Sequence, residues 1–274
     1  AAVWTIYHAI DSETANPFQA YQATRYVDTS IPHIPVTAHG LKENGYATIA
    51  TTNWLPYSWS INNVAFAEVM HTALSYFQAG RAEAGYKLLK SSVLDGMYLG
   101  DSPGNFGQIS FYDAARGECY RDFGDPIGVA SRVLIQGLFG ILPDALNQQI
   151  ILRPGFPDDW DKASVSTPDI SYRFTRKEDT DTYHITQRFQ TPLHPVLQIN
   201  ARKEKIRSVK VNGVPATWQS IESAHGYPLL SIQAEGTSST TITIEWEGAP
   251  LHTLAVQEPV IASNRKLALQ IPSG

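Results

Sequence analysis

Two hydrophobic periods divide the chain. Up to about Gly140 the clearest apolar repeats fall three and four residues apart, and beyond it they alternate. In NNVAFAEVMHTALSYFQAGR, Phe66, Met70, Ala73, Leu74 and Phe77 recur at helical spacing, with Asn62 or Asn63 placed to cap the start and Gly80 to end it. AEAGYKLLKSSVLDGMYLG follows at once and carries Ala82, Tyr86, Leu89 and Val93 on one stripe. The pair predicts an antiparallel helical hairpin. DPIGVASRVLIQGLFG predicts a third helix, with Asp125 as cap, Pro126 at the first helical position, and Ile127, Ala130, Leu134 and Leu138 facing inward.

The first sixty residues are less regular. ETANPFQAYQATRYVD predicts a short helix ending near Val27, and Pro32 and Pro35 keep TSIPHIPV from being one. TAHGLKENGYATIATTNWLPYSWS reads as loop, as does the glycine-rich GDSPGNFGQ. After Gly140 come QQIILRP, DISYRFTR, TYHITQRF, PVLQINA, IRSVKVNGVPATW, PLLSIQA and TTITIEWEG, seven short strands at sandwich spacing. Thr240, Ile242, Ile244 and Trp246 share one face, and Asn212-Gly213 signals a tight hairpin. The predicted class is α+β and multidomain: a helical part over 1–142, an antiparallel β-sandwich over 143–250, and a tail or linker over 251–274. The joint, GLFGILPDALNQQIILRPGFPDDW, is short and apolar around Ile150 and Leu152, so the two parts are expected to pack together.

Composition narrows the functional classes. Hydrophobic content is 43%, charge 17% and net charge −5, which fits a packed globular chain without a basic stripe; nucleic acid is not an expected partner. No apolar run approaches the roughly 20 residues of a membrane helix, so no membrane insertion is expected. A single cysteine, Cys119, permits no internal disulfide and no cysteine-rich metal site. His33 and His39 lack further ligands at metal spacing; no metal and no cofactor is expected. The apolar start without Met predicts a mature or truncated N-terminus.

Aromatics are plentiful: six Trp, thirteen Tyr and ten Phe. Trp54, Tyr57 and Trp59 cluster in a proline-containing loop, which suits stacking on sugar rings as well as packing beneath the loop. Glu68 and His71 stand three apart on the first strong helix, where they can touch, either as a proton relay or as a structural hydrogen bond. GDSPGNFG lacks the Lys-Ser/Thr of a phosphate loop; its Asp101 and Asn105 are candidates for hydrogen bonds to hydroxyls. No Gly-x-Ser-x-Gly elbow occurs.

GLFGILPDALNQQIILRPGFPDDWDKASVS resembles the six-hairpin glycosidases, in which an (α/α)6 toroid is followed by a β-sandwich. The α-L-rhamnosidases close in a similar way, with a last barrel helix, a GI-P-D turn and a strand ending in RP. VKVNGVPATW looks like their C-terminal sandwich, and PYSWSINNVAFAEVMHTALSYFQAGRAEAGYKLLK resembles a toroid hairpin also seen in glycan phosphorylases. The resemblance covers residues 53–250 and rests on scaffold motifs. It departs in one respect: three clear helices before Pro143 are too few for a complete toroid, so the helical part is read as a partial one.

That resemblance implies acid/base cleavage of glycosidic bonds, which needs two carboxyl groups across the scissile bond. FYDAARGECYRDFGDP holds Asp113, Glu118, Asp122 and Asp125 interleaved with aromatics that include Tyr112. By analogy with the toroid mouth, Glu118 and then Asp113 are the expected base of an inverting reaction, and Asp125 the helix cap. A solvated loop with turn aspartates is the plainer reading. Tyr112, Arg116 and Arg121 join Trp54, Tyr57, Trp59, Asp101 and Asn105 as candidate substrate contacts, the arginines for a sugar carboxylate. The resemblance places the general acid upstream of these hairpins, so the chain alone is expected to be inactive. It also implies an oligosaccharide substrate, the missing N-terminal part of the same protein as partner, and a periplasmic, cell-surface or secreted bacterial location. Two rivals are a non-catalytic glycan-binding or structural module and a phosphorylase that requires inorganic phosphate.

Overall fold

The computed structural model describes residues 3–37, 40–51, 63–99, 111–113, 118–120, 124–222 and 226–251. The chain is α+β. Its helices are α1 (Val3–Asp11), α2 (Pro17–Ser30), α3 (Phe66–Gln78), α4 (Ala82–Val93) and α5 (Asp125–Arg132). Among the described residues, three-residue strands lie between them: β1 (His33–Pro35), β2 (Ala47–Ile49), β3 (Asn63–Ala65), β4 (Phe111–Asp113) and β5 (Glu118–Tyr120).

Sequence reading missed α1, although Val3, Tyr7 and Ile10 form its buried stripe; nine residues with no capping signal ahead of them are too few to stand out. Helix α2 runs on past Val27 to Ser30. It starts with a capping box, Asn16 and Gln19 exchanging 2.9 Å bonds between side chain and backbone. Helices α3 and α4 form the expected hairpin. Asn62 lies outside the described residues, and Asn63 belongs to β3, so the cap residue of α3 is Ala65, whose N–H is accepted by Thr51 Oγ1 at 3.0 Å. Asp125 is likewise not the cap of α5 but its first residue, after Gly124. Ile127 and Leu134 do not face inward; they are 54% and 42% exposed. The physical reason is a π-turn over Val133–Leu138, closed by the Phe139 N–H to Leu134 carbonyl bond. The extra residue per turn shifts the buried face to Pro126, Val133 and Leu138.

The C-terminal strands are β6 (Ile141–Asp144), β7 (Gln149–Leu152), β8 (Lys162–Ser166), β9 (Ile170–Lys177), β10 (Thr180–Gln187), β11 (His194–Asn200), β12 (Lys203–Val211), β13 (Val214–Pro215), β14 (Gln219–Ile221), β15 (Leu229–Gln233) and β16 (Ser239–Pro250). They build two sheets, ordered β13-β12-β16-β10-β9-β8 and β14-β15-β11-β7-β6. One buried cluster joins the inner faces, with Tyr172, Ile185, Ile242, Ile244 and Trp246 from the first and Ile150, Leu152, Leu197 and Ile232 from the second. Thr240, Ile242, Ile244 and Trp246 share the buried face, as the alternation predicts. Asn212 (φ 51°) and Gly213 (φ 81°) make the tight turn between β12 and β13. The sandwich is not purely antiparallel: β7 and β11 pair in parallel, His194 opposite Gln149 through Leu197 opposite Leu152. Asp181, 2% exposed, anchors the interior by accepting from Arg176 Nε at 2.9 Å and Trp246 Nε1 at 3.0 Å.

A second buried cluster holds the helices, built on Phe66, Met70, Leu74, Phe77, Leu89 and Val133. Phe139 and Phe156 pack against both clusters. An aromatic chain crosses the joint, from Tyr86 to Trp160 (5.2 Å between centroids), on to Phe156 (6.1 Å) and to Phe174 (5.2 Å). Phe77 is seated among Gly85, Gly137 and Gly155, where an added Cβ would approach its ring to 3.0, 2.6 and 2.3 Å. The glycines of the joint are therefore positions of contact between elements, and the two parts meet through packed side chains.

Candidate functional site

Strand β3 runs directly into α3, so whatever β3 carries is held at the N-terminal end of that helix. Strands β3, β4 and β5 form an antiparallel ribbon in that order. Its register places Asn63 opposite Asp113, and Asp113 opposite Glu118. The two carboxylate positions singled out in the sequence are therefore cross-strand partners, the closest lateral relation a sheet offers. Tyr112 stands opposite Val64 on one side and Cys119 on the other. Trp54, Tyr57, Trp59, Asp101, Asn105, Arg116 and Arg121 lie outside the described residues.

Glu68 lies in the first turn of α3, three residues beyond the ribbon. Burial pushes its carboxyl up to about 7, helped by the charge of Asp125 and opposed by a hydrogen bond from Thr51. Its Oε2 is buried and has no hydrogen-bond partner among the described residues. Thr51 thus serves both the cap of α3 and the Glu68 carboxyl. A carboxylic acid in this setting keeps its proton near neutral pH and can donate it.

Around Glu68 the helices converge. Tyr7 of α1 is 4% exposed, and its ring lies 4.8 Å from that of His71 and 4.6 Å from that of His8. Burial, then the charges of Glu68 and Asp125, push the Tyr7 phenol up, so it stays protonated. Burial also pushes the His71 imidazole below its ordinary value, and Arg132 adds to this. Arg132 of α5 grips Asp11 of α1 with two bonds, 2.8 Å from Nη1 and 2.6 Å from Nη2, and Gln78 Nε2 adds a third at 2.9 Å. Burial pushes the Asp11 carboxyl up, but these bonds outweigh it and hold it below the usual range. This fork fixes α1 and α5 to α3 and orients the walls around Glu68.

Burial acts first on both members of the i, i+3 pair, and the charge of Asp125 reaches both; Thr51 bonds to Glu68, while Arg132, Asp11 and His8 act on His71. Sequence reading named the pair but missed Glu68 as a retained acid, because its state is set first by burial and then by the charge of Asp125, far away in the chain. Among the described residues no cluster of three or more His, Cys, Asp or Glu could hold a metal, and no helix is long and apolar enough to cross a membrane.

No family model matches the chain, and no curated protein sequence does. Among solved structures it is similar to the α-L-rhamnosidase from Dictyoglumus thermophilum, at 11% identity over 66% of this chain and 21% of that one, with a TM-score of 0.41. The Streptomyces avermitilis α-L-rhamnosidase complexed with L-rhamnose gives 14% identity, 66% and 18% coverage, and a TM-score of 0.40. A glycoside hydrolase gives 11% identity, 79% and 38% coverage, and a TM-score of 0.33. The chain thus spans 21% and 18% of the two rhamnosidases.

Proposed function

We propose that this chain is part of a glycoside hydrolase, with Glu68 as the general acid and Glu118 as the partner carboxylate, Asp113 being the second choice. One observation carries the reading. A buried acid with an oxygen that has no partner among the described residues lies in the first turn of the helix that continues the ribbon on which Asn63, Asp113 and Glu118 stand in register. Glycosidic cleavage asks for one carboxyl group that keeps its proton and another that has lost it. The site offers the first at Glu68 and positions for the second at Asp113 and Glu118. This reading proposes an acid within the chain, as an alternative to the upstream acid that the resemblance implies. Glu118 activates water, and Glu68 protonates the departing glycosidic oxygen. Tyr112, Trp54, Tyr57, Trp59, Asp101, Asn105, Arg116 and Arg121 are the proposed sugar contacts.

The experiment is Glu118→Gln in the whole protein, assayed for glycan binding and for turnover. Binding is expected to persist while turnover falls by about a hundredfold or more. Turnover equal to that of the parent would remove Glu118 from the reaction.

A further inference from the structure

The sandwich carries a cleft of about 320 Å³ where β7 and β11 begin and β15 ends, walled in part by the β12–β13 hairpin. Its polar lining is Gln149, His194, Gln233 and Glu235, and Val196 and Val214 belong to its aliphatic wall. His194 stands opposite Gln149 in the parallel pair, and Val196 stands opposite Gln233 in the antiparallel one. Three neighbouring strands therefore present these residues on one face of their sheet.

The fold fixes which nitrogen of His194 can donate. The Gly236 N–H donates to His194 Nδ1 at 3.0 Å. A ring nitrogen that accepts carries no proton, so the imidazole is neutral and holds its proton on Nε2. Glu235 Oε2 lies 3.7 Å from the same Nδ1, which has no proton to give it, so the two do not form an ion pair. Gly236 is tightly seated, since a Cβ added there would lie 2.9 Å from the Pro192 carbonyl oxygen.

The other polar groups are open. The side chains of Gln149, Gln233 and Glu235 make no hydrogen bond among the described residues. The cleft thus offers one N–H donor, two amides that both donate and accept, and a carboxylate that only accepts. No Lys or Arg lines it among the described residues, so an anion would meet the Glu235 charge with nothing to offset it. The chemistry that fits is uncharged, rich in hydroxyls and edged with C–H groups. The volume stands at the lower end of small-molecule sites, which suits a single ring.

We propose that this cleft binds one neutral hexopyranose. Its hydroxyls donate to Glu235 and bond with Gln149 and Gln233, one of its oxygens accepts from His194 Nε2, and its C–H edge packs on Val196 and Val214. The site is separate from Glu68 and Glu118 and goes beyond the hydrolase reading, on whose success it does not depend.

An amide NMR titration of the whole protein with D-glucose, D-galactose, D-mannose and D-glucuronate tests this. The Gly236 N–H is the reporter, because its bond to His194 holds it beside the cleft. At least one of the three neutral sugars is expected to shift that signal to saturation, with a Kd in the millimolar range. Glucuronate is expected to bind at least about threefold more weakly than the best neutral sugar. Glu235 is 93% exposed, so its truncation leaves the packing intact. Glu235→Ala is expected to weaken the best neutral sugar at least about fivefold, through loss of charge-assisted bonds, and Glu118→Gln to leave it unchanged. No saturable shift with any neutral sugar, glucuronate binding as tightly as the best of them, or an affinity that survives in Glu235→Ala would each overturn the proposal.

Discussion

Replacing Glu68 by glutamine is expected to cut turnover by a factor of about 10²–10⁴, the usual contribution of a positioned acid. Glutamine keeps the shape and the hydrogen-bonding capacity of the side chain but has no proton to give. The loss should shrink on substrates whose leaving group departs without protonation, because the acid then has less to do. The same substitution is expected to make the protein more stable at neutral and higher pH. In the folded chain the carboxyl titrates at about 7, against an ordinary value of 4.5. Below the ordinary value both folded and unfolded chains carry the proton and nothing is lost. As pH rises through that window the unfolded chain releases its proton first, so stability falls until the folded carboxyl has also titrated. The span corresponds to roughly 3 kcal/mol. Glutamine removes this slope. Urea denaturation at about pH 4 and about pH 8 should therefore show near-equal stability at the lower value and a gain for Glu68→Gln at the higher. A variant that is more stable and less active fits a strained catalytic acid; one that loses both was structural.

Gly140→Ala is expected to be the most damaging single-methyl change at the joint, costing at least about 4 kcal/mol or preventing folding. Gly140 has φ +65°, and a Cβ there would lie 1.9 Å from the Arg153 carbonyl oxygen. That carbonyl is backbone and cannot swing aside. Arg153 N–H also donates to the Gly140 carbonyl at 2.8 Å, so the two strands cannot part without breaking their own bond. Gly213→Ala is the control: φ is +81° but nothing lies within 4 Å, so only the conformational cost of about 1 kcal/mol remains. Equilibrium denaturation of the two variants separates these terms. Equal losses would mean that the close approach at Gly140 relaxes easily.

Much of the architecture was legible because the chain changes period where its structure changes. The stripe through Phe66, Met70, Leu74 and Phe77 is a buried helix face, and the Thr240 to Trp246 alternation is a buried strand face. Asn212-Gly213 turns as its residues demand. What escaped was short or depended on distant partners. Strands β6, β8 and β14 have four, five and three residues, too few to show a period. The parallel pairing of β7 with β11 joins segments more than forty residues apart. Helix α5 misled because its phase is reset by a π-turn that leaves no mark in the apolar spacing. The candidate site divides in the same way. Asp113 and Glu118 were visible as carboxylates among aromatics, but their cross-strand register was not. Glu68 was visible as a helical glutamate, but its retained proton depends on burial and on Asp125.

The most direct test is a carbon-13 titration of the Glu68 side-chain carboxyl in the parent protein and in Glu118→Gln. Glu68 should titrate near 7 in the parent, and with Glu118 sharing its site as proposed, its midpoint should shift downward when that charge is removed. A Glu68 midpoint in the ordinary carboxylate range, or one that Glu118→Gln leaves unchanged, would contradict an acid and a base working together across the ribbon.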